Sequence, residues 1–140
     1  MKQITLLISI LAVLAGSVSC HNQGNRKEVA RAVNSSDVKV YYFHFTRRCA
    51  TCLAVEENAR KAFELLYPNE VRTGVYSFTS LNLDEAGTKE IADKLGVGGQ
   101  TLLVVRGEKK INITSAAWLN AHDPDKIKEE VKSGIDKVLF

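Results

Sequence analysis

The sequence predicts an α/β domain with a four-stranded mixed sheet and helices on both faces. Three observations predict it. Val38 to Thr46 is rich in β-branched and aromatic residues at both odd and even positions, as a central strand covered on both sides requires. Segments of strand-like and helix-like period then follow in the order β, α, β, α, β, β, α. Cys49-Ala50-Thr51-Cys52 stands at the first strand-to-helix junction.

Ala50 to Leu66 carries Leu53, Val55, Ala59, Ala62, Phe63 and Leu66 at helical spacing, and Tyr67-Pro68-Asn69 is expected to stop that helix. Val75 to Leu83 alternates as a second strand. Asp84-Glu85 opens a helix over Ala86 to Leu95 with Ile91, Ala92 and Leu95 inward, ended by Gly96-Val97-Gly98-Gly99. Thr101 to Val105 is a third strand, Arg106 to Lys109 a hairpin turn, and Lys110 to Thr114 the antiparallel return strand. Pro124 to Leu139 is the last helix, with Asp123 as cap and Ile127, Val131, Ile135 and Val138 as its buried stripe. A strand–helix–strand unit with both strands in one sheet makes the first two parallel, with a right-handed crossover.

The chain of 140 residues suffices for one ordinary domain. A formal net charge of +3 without any block of like charge gives no reason to expect a nucleic-acid partner. Residues 1–19 differ from the rest: Lys2 is followed by an apolar run from Ile4 to Val18, short for a membrane span and suited to a secretory leader. The run ends Ala15-Gly16-Ser17-Val18-Ser19-Cys20. This resembles the cleavage and lipidation box of bacterial lipoproteins, with Ser17 where that family usually has Leu. The resemblance implies that Cys20 becomes the lipidated first residue of the mature chain. An uncleaved anchor, or a soluble protein cleaved nearby, are the other readings. Losing Lys2 with the leader takes the charge from +3 to +2.

The expected organisation is therefore a lipoprotein signal peptide over 1–19, the lipidated Cys20 with a tether and short leading helix over 20–36, and the folded domain over 37–140. Within the second segment, His21 to Arg26 is the tether, Glu28 to Val33 the leading helix, and Asn34 to Asp37 a turn. Lipidation at Cys20 leaves Cys49 and Cys52 as the only thiols. Export places the domain on the periplasmic side of an inner or outer bacterial membrane, where disulfides persist.

Two thiols at a helix start close a disulfide with little chain movement, and the unpaired N–H groups there favour a thiolate. The element order with this C-x-x-C resembles the thioredoxin family over Val38 to Leu139. Leu95 to Val105 looks like that family's segment before and along its third core strand, and Gly107-Glu108 like its hairpin turn. More narrowly, Tyr42 to Cys52 is similar to small thioredoxin-like proteins of Bacteroidetes-type bacteria. Those occur near arsenic-resistance genes and carry the label of a nitrophenyl-compound nitroreductase subunit. The resemblance implies that Cys49 is the exposed nucleophile and Cys52 the buried resolving thiol.

Arg48 is a candidate for tuning the thiolate, as, to a lesser degree, is Arg47; both also fit a solvated loop. His44 is a packed strand residue or a group tuning Cys52. Gln100 stands where the family has a cis-proline, and a cis bond before a non-proline costs about 3–4 kcal/mol. A trans bond is therefore expected, with Gln100 and Thr101 forming a substrate loop in which the Gln100 side chain donates to substrate backbone. Phe43 stands where the family often has a buried Asp, so proton transfer needs water, His44 or another group. Tyr41, Tyr42 and Trp118 read as packing.

The function expected is thiol–disulfide exchange by a membrane-tethered protein acting on a disulfide-bearing protein substrate or redox partner, with no cofactor. Service as the electron-delivering subunit of a reductase uses the same cysteines. A dithiol module binding arsenite or a thiophilic metal is the alternative. Zinc usually takes four ligands, and only His21, His44 and His122 extend the set beyond the thiols and carboxylates. A static structural disulfide is disfavoured, because closing so short a loop stabilises least.

Overall fold

The computed structural model describes residues 36–140. The leader, Cys20, the tether and the leading helix all lie outside the described residues. The elements are β1 (Val38–His44), α1 (Ala50–Leu66), α2 (Pro68–Thr73), β2 (Tyr76–Asn82), α3 (Ala86–Leu95), β3 (Thr101–Arg106), β4 (Lys109–Asn112), α4 (Thr114–Leu119) and α5 (Pro124–Leu139). The strands form one mixed sheet in the order β2-β1-β3-β4. This is a thioredoxin-like arrangement.

β1 is central because its side chains are apolar on both faces. It pairs in parallel with β2, Val38 opposite Tyr76 and His44 opposite Asn82. On its other edge it pairs antiparallel with β3, Phe43 opposite Thr101. One face of the sheet presents Val38, Val40 and Tyr42 of β1 with Leu102 and Val104 of β3. These pack with Val55, Ala59, Ala62 and Phe63 of α1 and with Ile127, Val131, Ile135 and Val138 of α5. Complete burial of side chains this size contributes about 1.5–3 kcal/mol each. The alternate residues Phe43, Leu103 and Val105 are also buried and point to the opposite face. α3 buries only Thr88 and Ala92.

α1 and α5 have the boundaries their sequences predict. Asp123 caps α5, its side chain accepting the Lys126 N–H at 3.1 Å, and Pro124 stands at the start of the helix, where a missing N–H costs nothing. Two short helices were not expected. Pro68 does not merely stop α1: it begins α2, which ends at Gly74 in the left-handed region at φ 74°. The stretch holding Trp118 is α4, between the return strand and α5. Inward positions differ in two places. Ile91 of α3 and Leu53 of α1 are exposed, at 37% and 50%.

Candidate functional site

Cys49 and Cys52 form a disulfide with Cα atoms 5.2 Å apart. Cys49 is the N-cap of α1, in extended conformation at φ −87° and ψ 165°. Its sulfur accepts the Cys52 N–H at 3.2 Å, so it meets one of the donors a helix start leaves free. No acidic side chain occupies the first turn to compete for that positive end. Cys49 is exposed, whereas Cys52 is 3% exposed. The pair is thus asymmetric, one sulfur open to solvent and the other covered.

The loop between β1 and α1 is fastened to the end of β2. The Leu83 N–H donates to the His44 carbonyl at 2.7 Å. The Thr46 N–H donates to Asp84 Oδ2 at 2.8 Å, and Asn82 Nδ2 donates to Thr46 Oγ1 at 2.9 Å. Hydrogen bonds from the Thr46 backbone and hydroxyl, with help from His44, hold the Asp84 carboxyl below its ordinary value. His44 itself is half-buried. Its Nδ1 lies 2.9 Å from the Phe45 carbonyl, which can only accept, so Nδ1 carries the proton. Its ring stacks on Tyr42 with centroids 5.8 Å apart.

Gln100 lies at the foot of β3, against the covered cysteine. Its Nε2 is 3.4 Å and its Oε1 3.6 Å from Cys52 Sγ. The peptide bonds of the described residues, that before Gln100 included, are trans. Thr101 is 8% exposed and folds its hydroxyl back onto the Gly99 carbonyl at 2.9 Å, which stiffens the turn carrying Gln100. The two loop residues therefore reach the site through different atoms: Gln100 by its amide and Thr101 by bracing the chain.

Arg48 turns inward beside the site. Its guanidinium pairs with Glu56 and lies over the Tyr42 ring, 5.4 Å from the centroid. Burial works against the charge, but hydrogen bonds with Glu56 and Tyr42 outweigh it and hold Arg48 above its ordinary value. Burial likewise raises the Glu56 carboxyl, yet bonds from Ser80, Arg48 and Arg60 bring it below its usual range. The Tyr42 hydroxyl donates to the Cys52 carbonyl at 2.8 Å. A chain of contacts thus runs from Glu56 through Arg48 and Tyr42 to the backbone of the covered cysteine.

Tyr42 and Glu56 were not expected at the site. Tyr42 reads as core packing, and it is fully buried, but its hydroxyl needs a partner there. Glu56 follows Cys52 by four residues, one helical turn. That spacing was the available signal. Trp118 packs as expected, stacked on Tyr42 at 5.9 Å. It also lines, with Thr51, Leu119 and His122, a cavity of about 420 Å³ beside the cysteines. Among the described residues no group of three or more His, Cys, Asp or Glu converges as a metal site.

Fold and site together define a thioredoxin-like α/β domain with a disulfide-forming C-x-x-C pair. Compared with known proteins, the chain matches no family model and no curated protein.

Proposed function

We propose that the protein is a thiol–disulfide oxidoreductase, tethered to the periplasmic side of a bacterial membrane by lipid on Cys20. The observation that carries the reading is the asymmetry of the pair: Cys49 exposed at a helix N-cap and Cys52 covered. In the reducing direction the Cys49 thiolate attacks a substrate disulfide R–S–S–R′. One S–S bond breaks, R′S⁻ leaves, and a mixed disulfide Cys49–S–S–R forms. Cys52 then attacks the Cys49 sulfur, expels RS⁻ and closes the disulfide seen here. The substrate gains two electrons and the dithiol loses them. A helix start lowers the pKa of a capping thiol, so Cys49 is the group that reacts first.

The tether is supported by the leader and by the small residues before Cys20. A lipid anchor on a short polar tether keeps the domain near membrane-bound partners. The narrower resemblance in the Tyr42 to Cys52 segment supports one kind of partner, a reductase that receives the electrons.

Trapping tests the reading. Cys52→Ser removes the resolving thiol, so Cys49 is expected to accumulate as a mixed disulfide with disulfide-bearing proteins. Cys49→Ser is expected to trap none and to lose disulfide-reductase activity. Equal trapping by both variants, or by neither, contradicts the assignment. A reduced protein that instead retains arsenite through gel filtration, without exchange activity, favours the dithiol binding module.

A further inference from the structure

We propose that Gln100 is a catalytic residue that stabilises the Cys52 thiolate through its side-chain amide. The inference rests on the exchange reading above and adds a group to it. Cys52 can resolve a mixed disulfide only as a thiolate, and burial opposes that charge. Something must therefore hold the thiol proton before the step and the sulfur's negative charge during it. Phe43, on the adjoining strand end, brings no acid or base. Glu56 is engaged by Arg48 and Arg60, and His44 Nδ1 by the Phe45 carbonyl. Among the described residues, Gln100 is the one side chain whose polar atoms lie within hydrogen-bond distance of Cys52 Sγ.

The amide presents both of its functions to that sulfur. Oε1, at 3.6 Å, accepts from S–H when Cys52 is a thiol. Nε2–H, at 3.4 Å, donates to the sulfur when Cys52 is a thiolate or a disulfide. A small rotation of one side chain therefore serves both protonation states. The sulfur is kept facing the amide from both sides. The Tyr42 hydroxyl fixes the Cys52 carbonyl at 2.8 Å, and the Thr101 hydroxyl fixes the turn at the Gly99 carbonyl at 2.9 Å.

In the resolving step, Cys52–SH and Cys49–S–S–R give the Cys49–Cys52 disulfide and RSH. The bond between Cys49 sulfur and R sulfur breaks, and the new S–S bond forms within the protein. Cys52 gives its proton to water before it attacks, and the electron pair leaves on RS⁻, which takes a proton back from water. Gln100 gains and loses nothing; it stabilises the thiolate through which the step passes. A hydrogen bond to a charged group is strong enough to move a pKa by about one unit.

The test uses the whole chain carrying Cys20→Ser and Cys49→Ala, so that Cys52 is its single thiol. Thiolate absorbance is followed against pH with Gln100 intact, with Gln100→Leu and with Gln100→Glu. Both substitutions are expected to raise the Cys52 pKa by about one unit or more, the first by removing the donor and the second by adding like charge. In the chain that keeps Cys49, a preformed mixed disulfide with a small thiol is expected to resolve about threefold more slowly at neutral pH, the loss of thiolate being partly offset by its greater nucleophilicity. Gln100→Met, which keeps the length of the side chain and removes the donor without adding charge, is read in the same way if Gln100→Leu does not fold; Gln100→Glu acts by its charge and reports that position 100 faces the sulfur. A Cys52 titration unchanged by either substitution overturns the proposal. The exchange reading fails separately, if the native pair does not cycle between dithiol and disulfide, because the titration needs no turnover.

Discussion

Glu56 shows how a single carboxylate ties the site to the stability of the domain. Its side chain is 15% exposed and that of Arg48 18%, between the nearly worthless surface ion pair and the costly buried one. Glu56→Gln leaves Arg48 half-covered without its counter-charge and is expected to destabilise by about 2 kcal/mol in denaturant unfolding. The carboxyl lies below its ordinary value of 4.5 in the folded state. The native state thus prefers the ionised form. The stability this brings is complete above pH 4.5 and is lost as pH falls through the lower folded value. Acid titration of unfolding is expected to show a loss of stability beginning below pH 4.5 that flattens in Glu56→Gln. Equal acid sensitivity of both proteins contradicts this. The residues of the site divided unevenly in legibility. Cys49 and Cys52 announce themselves by spacing. The inward turn of Arg48 does not, because its partner Glu56 is on α1 and its ring partner Tyr42 on β1.

The helices show where local sequence decides and where it does not. α1 and α5 run 17 and 16 residues, long enough for the apolar period to repeat and for caps to mark both limits. α2 and α4 have 6 residues each, too few for a period to be seen. α2 did carry a signal, Pro68 at its start and Gly74 after its end. α4 has no side-chain cap and owes its place to packing: Ala117 is buried against the core. Ile91 and Leu53 fit a helical stripe by spacing, yet both stay exposed and outside the core cluster. Close approach governs α5 at Gly134. A Cβ there would lie 3.0 Å from Ile113 Cγ2 and 3.2 Å from Val104 Cγ2. Gly134→Leu is expected to destabilise by about 1–3 kcal/mol through overpacking, read as a lower denaturant midpoint. At the other end of the same helix, Asp123→Ala is expected to cost about 1 kcal/mol for the lost cap. A midpoint unchanged by either substitution contradicts the packing and capping described.

At the scale of the molecule, the mixed four-stranded sheet was legible because each constraint was local: the strand–helix–strand unit, the two-residue hairpin at Gly107-Glu108 and the apolar run of β1; the antiparallel pairing of β1 with β3, which sets the strand order, was not. The whole arrangement puts the first strand-to-helix junction, the end of β2 and the foot of β3 around one disulfide. Cys49 is left open there while Cys52 is covered by Gln100 and Tyr42. Those long-range contacts are what sequence period cannot convey.

If this disulfide is a working redox couple, its equilibrium in graded dithiol buffer shows it, read by thiol alkylation in the chain carrying Cys20→Ser. One reversible two-electron transition is expected, with a tenfold change in equilibrium for about 30 mV, abolished by Cys49→Ser. A midpoint near about −270 mV marks a reductant and one near about −120 mV an oxidant. A pair that shows no reversible transition at any poise contradicts a redox role.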